Sequence, residues 1–330
     1  MNSVGELARR LVVGVMSCTL CVTAAGTAFA QSYPVKPIRM IVPFPAGGGS
    51  DAMGRVVGGM LGERLGWRIV VENRSGAGGS IGADAVAKAA PDGYTLLLGS
   101  SGDQVHYPNM NPKAPYNPVR DFAPIARVGD VALVLVAHPS LPVKSVKELV
   151  ALAKSRPGEI NFSSAGYGAS MHVAMELFMS TTGVKMTHVP YKGGPQAVAD
   201  TIAGNVHVGI HPMPFTLPFV KAGRLRALAV STAKRSPVLA DTPTMQEAGV
   251  KGYDMVLWTG VFAPVGTPKE IIARLHSEIV NVLGLPEVKE TLARQGAEPA
   301  SGTPEQFAAF IKSEFAKWSK VITEAKIVID

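Results

Sequence analysis

Two glycine-rich runs hold the residues best suited to chemistry in this 330-residue sequence. The first, Pro43-Phe44-Pro45-Ala46-Gly47-Gly48-Gly49-Ser50-Asp51, follows an apolar strand pattern and leads into a helical one. The second, Ser163-Ser164-Ala165-Gly166-Tyr167-Gly168-Ala169-Ser170, sits in the same setting further along. Glycine lets the backbone approach a ligand closely. The N–H groups of a helix's first turn, aligned with its macrodipole, hold an anion without any charged side chain. Two such runs facing one another would grip a carboxylate from both sides, with Ser164 and Ser170 adding hydroxyl donors and Phe44 and Tyr167 closing over flat apolar groups. Two ordinary strand-to-helix turns would use the same residues, and spacing alone does not separate the readings.

Other patterns point elsewhere. Gly47 to Ala52 satisfies G-x-G-x-x-A, and Glu72 stands about where a ribose-binding acid belongs, so a nicotinamide-dependent oxidoreductase is the competing enzyme reading. Against it, Pro43 and Pro45 separate strand from glycines, and Asp51 would set a negative charge beside a pyrophosphate. Gly78-Gly79-Ser80-Ile81-Gly82 matches the nucleophile-elbow pattern but lacks a strand directly before it, which makes it a turn entering a helix. His207 and His211 lie on a strand pattern, where rings four apart stand ~13 Å from each other and cannot share a metal. His211, at the end of that strand, either faces the cleft and, if protonated, pairs with a distal ligand carboxylate, or stands exposed beside the following loop. The run Gly99-Ser100-Ser101-Gly102-Asp103-Gln104 offers further hydroxyl and amide donors, Ser101 among them. No nucleophile, base and oxyanion set is legible, so no catalytic residue, metal or cofactor is assigned.

The elements that would position these loops follow an alternation. Apolar runs at residues 38–42, 69–71, 95–98, 131–137, 160–163, 186–189, 206–210 and 225–230 are interleaved with helical patterns, the rhythm of β-α-β units. Ser145 with Glu148 opens one helix as a capping box. Thr267-Pro268 and Thr303-Pro304 open two late helices, each with proline expected at the first helical position. Residues 131–137 and 255–263 read as the strands that cross between two lobes, and the late helices as returning to cover the first lobe.

Arg9 and Arg10, an apolar run, and Ala28-Phe29-Ala30 before Gln31 spell a secretory leader cleaved after Ala30, too short to span a membrane. Both cysteines, Cys18 and Cys21, fall inside it, so the exported chain is expected to carry no thiol. Removing Glu6, Arg9 and Arg10 lowers the net charge from +7 by one, and the remaining basic residues are dispersed, which favours small anions and not nucleic acid.

From end to end the chain after the leader resembles the tripartite tricarboxylate transporter receptors, the Bug family of periplasmic solute-binding proteins. The likeness is carried by Tyr33-Pro34, Pro43-Phe44-Pro45-Ala46-Gly47-Gly48, Glu72-Asn73-Arg74, Gly76-Ala77-Gly78-Gly79, and Pro91-Asp92-Gly93-Tyr94-Thr95-Leu96. Tyr116-Asn117-Pro118, His188-Val189-Pro190-Tyr191-Lys192-Gly193, Lys221-Ala222-Gly223 and Gly266-Thr267-Pro268 continue it. The resemblance implies a type II-like, two-lobed α/β Venus flytrap, each lobe a mostly parallel sheet flanked by helices. Lobe one would take residues 31–130 and 254–330, and lobe two residues 131–253. It also implies a monomeric receptor, not an enzyme, that hands a di- or tricarboxylate, amino acid or aromatic acid to a membrane permease, or in some members serves sensing by a membrane kinase. The grip implied is Ala46, Gly47, Gly48, Gly49, Ser50 and Asp51 on one side, and Ser164, Ala165, Gly166, Tyr167, Gly168, Ala169 and Ser170 on the other.

Overall fold

The computed structural model describes residues 33–294, 296–325 and 327. The leader, its cleavage point and both cysteines lie outside the described residues. Residues 36–330 form one compact unit, and the architecture below is that unit's.

Strands β1 (Ile38–Val42), β2 (Ile69–Asn73) and β3 (Thr95–Ser100) are parallel, with β1 between the other two. The apolar side chains of β1 and β3 are buried, as parallel strands flanked by helices require, whereas β2 at the sheet edge leaves Val70 exposed. Helices α1 (Gly49–Leu65) and α2 (Ser80–Ala87) connect them, and a π-turn at Gly102–His106 runs into the short α3 (Tyr107–Met110). Strand β4 (Phe122–Ala137) then joins the lobes. The second lobe follows with α4 (Val146–Ser155), β5 (Asn161–Ser164), α5 (Ser170–Thr182), β6 (Thr187–Pro190), α6 (Gly194–Ala203), β7 (Val208–Pro212), α7 (Met213–Lys221) and β8 (Arg226–Val230). The chain returns to the first lobe through β9 (Val256–Pro264), α8 (Lys269–Gly284), α9 (Pro286–Arg294), β10 (Ala297–Pro299) and α10 (Pro304–Glu324).

Each lobe's sheet is mixed. The parallel pairs are the outer ones, β1 with β2 and β3, and β5 with β6 and β7. The pairs around β4 and β9 are antiparallel, because these strands run between lobes and not through a β-α-β crossover. Residues 122–132 of β4 pair with β9, and residues 133–137 with β7 and β8. The strand begins nine residues before the apolar run that marks it in the sequence. Pro124, Arg127, Gly129 and Asp130 break the apolar pattern there, and register shifts at Pro124/Ala126 and Arg127/Gly129 accommodate them. The partner change is fastened by the fully buried Ser231, whose Oγ accepts from Leu133 N (3.0 Å) and donates to Met255 O (2.6 Å).

The expected caps form. Ser145 Oγ accepts from Glu148 N, and Thr303 with Gln306 makes a reciprocal capping box. Pro304 takes the first turn of α10 as expected, whereas Pro268 sits one position earlier, at the N-cap of α8. Helices α8 and α10 pack on β4, and His276 of α8 hydrogen-bonds Ile125 O at 2.9 Å. Trp258 of β9 is fully buried edge-on to Phe307 and Phe310 of α10. Aromatic burial of this kind contributes roughly 1.5–3 kcal/mol per side chain.

Candidate ligand-binding cleft

The first loop leaves β1 at Val42 and enters α1 from Gly48, whose backbone is extended and whose helix has no side-chain cap. Gly47 stands at φ +79, a left-handed conformation that suits glycine. Asp51 holds this loop in shape. Its carboxylate accepts from Gly47 N (2.9 Å), Arg55 Nε (3.0 Å) and Asn73 Nδ2 (2.9 Å), and Asn73 also donates to Phe44 O. Burial pushes the Asp51 pKa up, but the hydrogen bonds from Arg55, Gly47 and Asn73 outweigh it and leave the group more acidic than usual. Asp51 is thus an ionised brace whose charge is met by Arg55.

The second loop leaves β5 at Ser164 and enters α5 from Ala169, again without a side-chain cap. Gly166 (φ +109) and Gly168 (φ +75) turn it. Its brace is neutral. Ser164 Oγ bonds His188 Nε2 (2.6 Å), and Gly166 N donates back to Ser164 Oγ (3.1 Å). The His188 ring stacks on His172 (4.3 Å between centroids) and on Phe162 (4.8 Å), and Tyr167 meets both histidines edge-on. Burial, with a smaller contribution from His172, pushes His188 down to about 3, so its ring is uncharged at neutral pH.

Between the loops lies a cleft spanning about 430 Å³, open solvent included. Phe44, Pro45, Gly48, Gly49, Ser50 and Ser100 line it from the first lobe. Ala165, Ala169, Ser170, Met171, Gly194, Pro195, Pro212 and Phe215 line it from the second, and Leu257 completes the wall. No ionisable side chain is among these residues. The starts of four helices are: α1, α5, α6 and α7 each begin with a wall residue or directly after one, and none of the four has a side-chain cap. Their first-turn amides have no partner inside the helix, and each terminus acts as roughly half a positive charge. The lobes also touch. Ser101 Oγ lies 3.0 Å from Ser170 Oγ, and a Cβ added to Gly193 would overlap Pro45.

Of the residues singled out in the sequence, Phe44, Gly48, Gly49, Ser50, Ala165, Ala169 and Ser170 form part of this wall. Ala46, Gly47, Asp51, Ser164, Gly166, Tyr167 and Gly168 shape the loops from outside the wall. Tyr167 turns its ring onto the histidines and not over the cleft. Ser101 is spent on the contact with Ser170, and its neighbour Ser100 faces the cleft. His211 differs most from expectation. It is wholly buried, its Nε2 lies 3.2 Å from Ser163 Oγ and 3.4 Å from Thr201 Oγ1, and burial pushes it down to about 3. A protonated His211 pairing with a ligand is therefore not what this site offers, since strand alternation gives the wall to Pro212 and sends His211 inward.

The sequence reading passed over the third and fourth helix starts. The signal was present: Lys192-Gly193-Gly194-Pro195 follows β6 as the other glycine runs follow their strands. Behind Ser100 stands the fully buried Asp103, which accepts from Ser100 N and Oγ (both 2.8 Å) and from Gln104 Nε2 (2.9 Å). Burial raises it to about 6 against these hydrogen bonds, and it faces its own turn, away from the cleft. Ser80 of the elbow-like pattern is the first residue of α2, and Glu72 is tied to Arg39 and Arg74.

Two lobes joined by β4 and β9, with helix N-termini converging on the cleft between them, define the two-lobed fold of a solute-binding protein. Residues 53–327 match the family model described as tripartite tricarboxylate transporter family receptor, and the chain belongs to that family. It is 42% identical over 314 residues to the protein BugT of Bordetella pertussis, covering 95% of this chain and 96% of that one. A Rhodopseudomonas palustris protein solved with adipate superposes with a TM-score of 0.87 at 38% identity, covering 90% of this chain and 99% of that chain. MatC from the same organism, solved with bound malate, gives a TM-score of 0.84 at 31% identity over 88% and 100% of the two chains.

Proposed function

We propose that this chain is exported, loses its leader after Ala30, and works outside the cytoplasm as a receptor that captures a small carboxylate without transforming it. The observation that carries the reading is the convergence of four uncapped helix N-termini on a cleft free of ionisable side chains. Such a site holds an anion such as a carboxylate without any charged side chain. Relatives solved with adipate and malate support the same class of ligand. Membership of the tripartite tricarboxylate transporter receptor family supports delivery of the ligand to a separate membrane permease of that type.

Closure rests on β4 and on the segment entering β9. The lobe boundaries expected near residues 131 and 254 sit beside the Ser231 fastening, which makes Leu133 and Met255 the hinge points of this proposal. A thermal-shift screen against a panel of carboxylic acids tests the reading. The cognate ligand at a hundred times its dissociation constant stabilises the protein by about 2.7 kcal/mol. If no carboxylate moves the melting curve while a neutral sugar does, the reading fails.

A further inference from the structure

A second hollow adjoins the cleft. It spans about 640 Å³ between α6 and α7, open solvent included, and it shares Pro195 and Phe215 with the cleft wall. The Phe215 ring is the partition. A Cβ on Gly49 would lie 3.8 Å from it and one on Gly194 3.1 Å from it, so the ring stands between the first-lobe and second-lobe helix starts. Beyond it the floor is apolar, built by Val198, Ile202 and Phe219. These are the side chains that one face of each helix presents at i, i+3, i+4 and i+7 spacing.

Two features tie this groove to the cleft. It includes Gly47 of the first lobe while the rest of its lining comes from the second, so it is complete only when the lobes are together. Its lining also includes one cation, Arg224, whose guanidinium lies 5.7 Å over the Phe219 ring and has no ion pair among the described residues. An apolar passage that leaves an anion site and leads to an unpaired cation fits one kind of molecule along its length.

We propose that the groove is a subsite for the distal part of the captured ligand: an apolar chain or ring that passes Phe215, lies on Ile202 and Phe219, and ends in a second carboxylate at Arg224. The inference rests on the receptor reading above and narrows its ligand to dicarboxylates with an apolar spacer. Phe215 is half-buried, packs on the second-lobe core and need only change rotamer to open the passage.

Isothermal titration calorimetry on the leaderless chain, with straight-chain α,ω-dicarboxylates of increasing length and monocarboxylates of matching length, tests the proposal. Each methylene that enters the groove is expected to tighten binding about fourfold. Ala199 is exposed on α6 and lines the groove, and Ala199→Trp is expected to abolish the gain for long ligands while short ones bind as before. Arg224→Gln, also at an exposed position, is expected to cost long dicarboxylates about two- to fivefold and monocarboxylates nothing. If short carboxylates bind and added length changes nothing, or if Ala199→Trp leaves the length profile intact, the subsite is overturned while the receptor reading stands. If no carboxylate of any length binds, the receptor reading itself has failed.

Discussion

The two loops that face the cleft do the same job with opposite physics. Residues 43–51 are held by an ionised carboxylate, Asp51, which gathers Gly47, Arg55 and Asn73. Residues 163–170 are held by a ring stack of His188, His172, Phe162 and Tyr167, with Ser164 bonded to the uncharged His188. Both braces lie outside the wall and leave the helix starts free, so neither places a formal charge in the cleft. A negative brace is tolerable on the first loop because Arg55 meets it. On the second loop, neutrality achieves the same result.

The sharpest way to break this contrast is to charge the neutral brace. His188→Lys is expected to cost about 3 kcal/mol or more in urea unfolding, since a cation is forced among aromatic rings without a partner. His188→Phe, which preserves the stack, is expected to stay within about 1.5 kcal/mol. Removing the charged brace comes next. Asp51→Ala leaves Gly47 N and Asn73 Nδ2 short of an acceptor and is expected to cost about 1–3 kcal/mol by the same measurement.

The glycines separate the loops in a smaller way. A Cβ on Gly47 meets open space, so Gly47→Ala is expected to cost only the left-handed backbone penalty of roughly 1 kcal/mol. A Cβ on Gly168 would lie 2.9 Å from the Tyr107 ring in the other lobe, so Gly168→Ala is expected to cost more than Gly47→Ala and also to weaken ligand binding by disturbing closure. Equal effects at the two positions would erase the distinction.

Acid separates the braces by their pH windows. His188 and His211 fall from an ordinary 6.5 to about 3 in the folded protein, so between those values the unfolded chain binds more protons. Their stabilising contribution is whole above pH 6.5 and is lost as the pH falls towards 3. Asp51 is also depressed, from 3.8, and its contribution survives until the pH falls below that value. The melting temperature is therefore expected to decline from pH 6.5 to 4, less steeply in His188→Phe and unchanged in slope in Asp51→Asn. Asp103, raised to about 6, has the opposite sign: its contribution is present below pH 3.8 and is lost as the pH rises through 6. Asp103→Asn is expected to recover a little stability at neutral pH.

The alternation of short apolar runs made the two-lobed architecture legible, and the strand at residues 38–42 matches its apolar run. The first half of β4 was hidden because its bulges admit Pro124, Arg127 and Asp130, which a period-two reading rejects. The glycine runs revealed where two helices start at the cleft, because a close backbone approach needs glycine. What they do not encode is which side of a loop faces inward. Asp51, Ser164, Tyr167 and His211 have the polar or aromatic chemistry of contacts, yet tertiary packing spends them on bracing. Ser100 and Ser101 differ by one position, and only the start of the π-turn decides which one the cleft receives.

Backbone amides at four helix starts, and not charged side chains, hold the ligand's carboxylate in the cleft in this proposal. Amide chemical shifts followed by nuclear magnetic resonance during titration with the tightest carboxylate of the screen test it most directly. The amides of Gly49, Ser50, Ser170, Met171, Gly194 and Met213 are expected to move together and saturate with the binding isotherm. If they stay in place while the ligand binds, and the responses come from Arg or Lys side chains, the claim is contradicted.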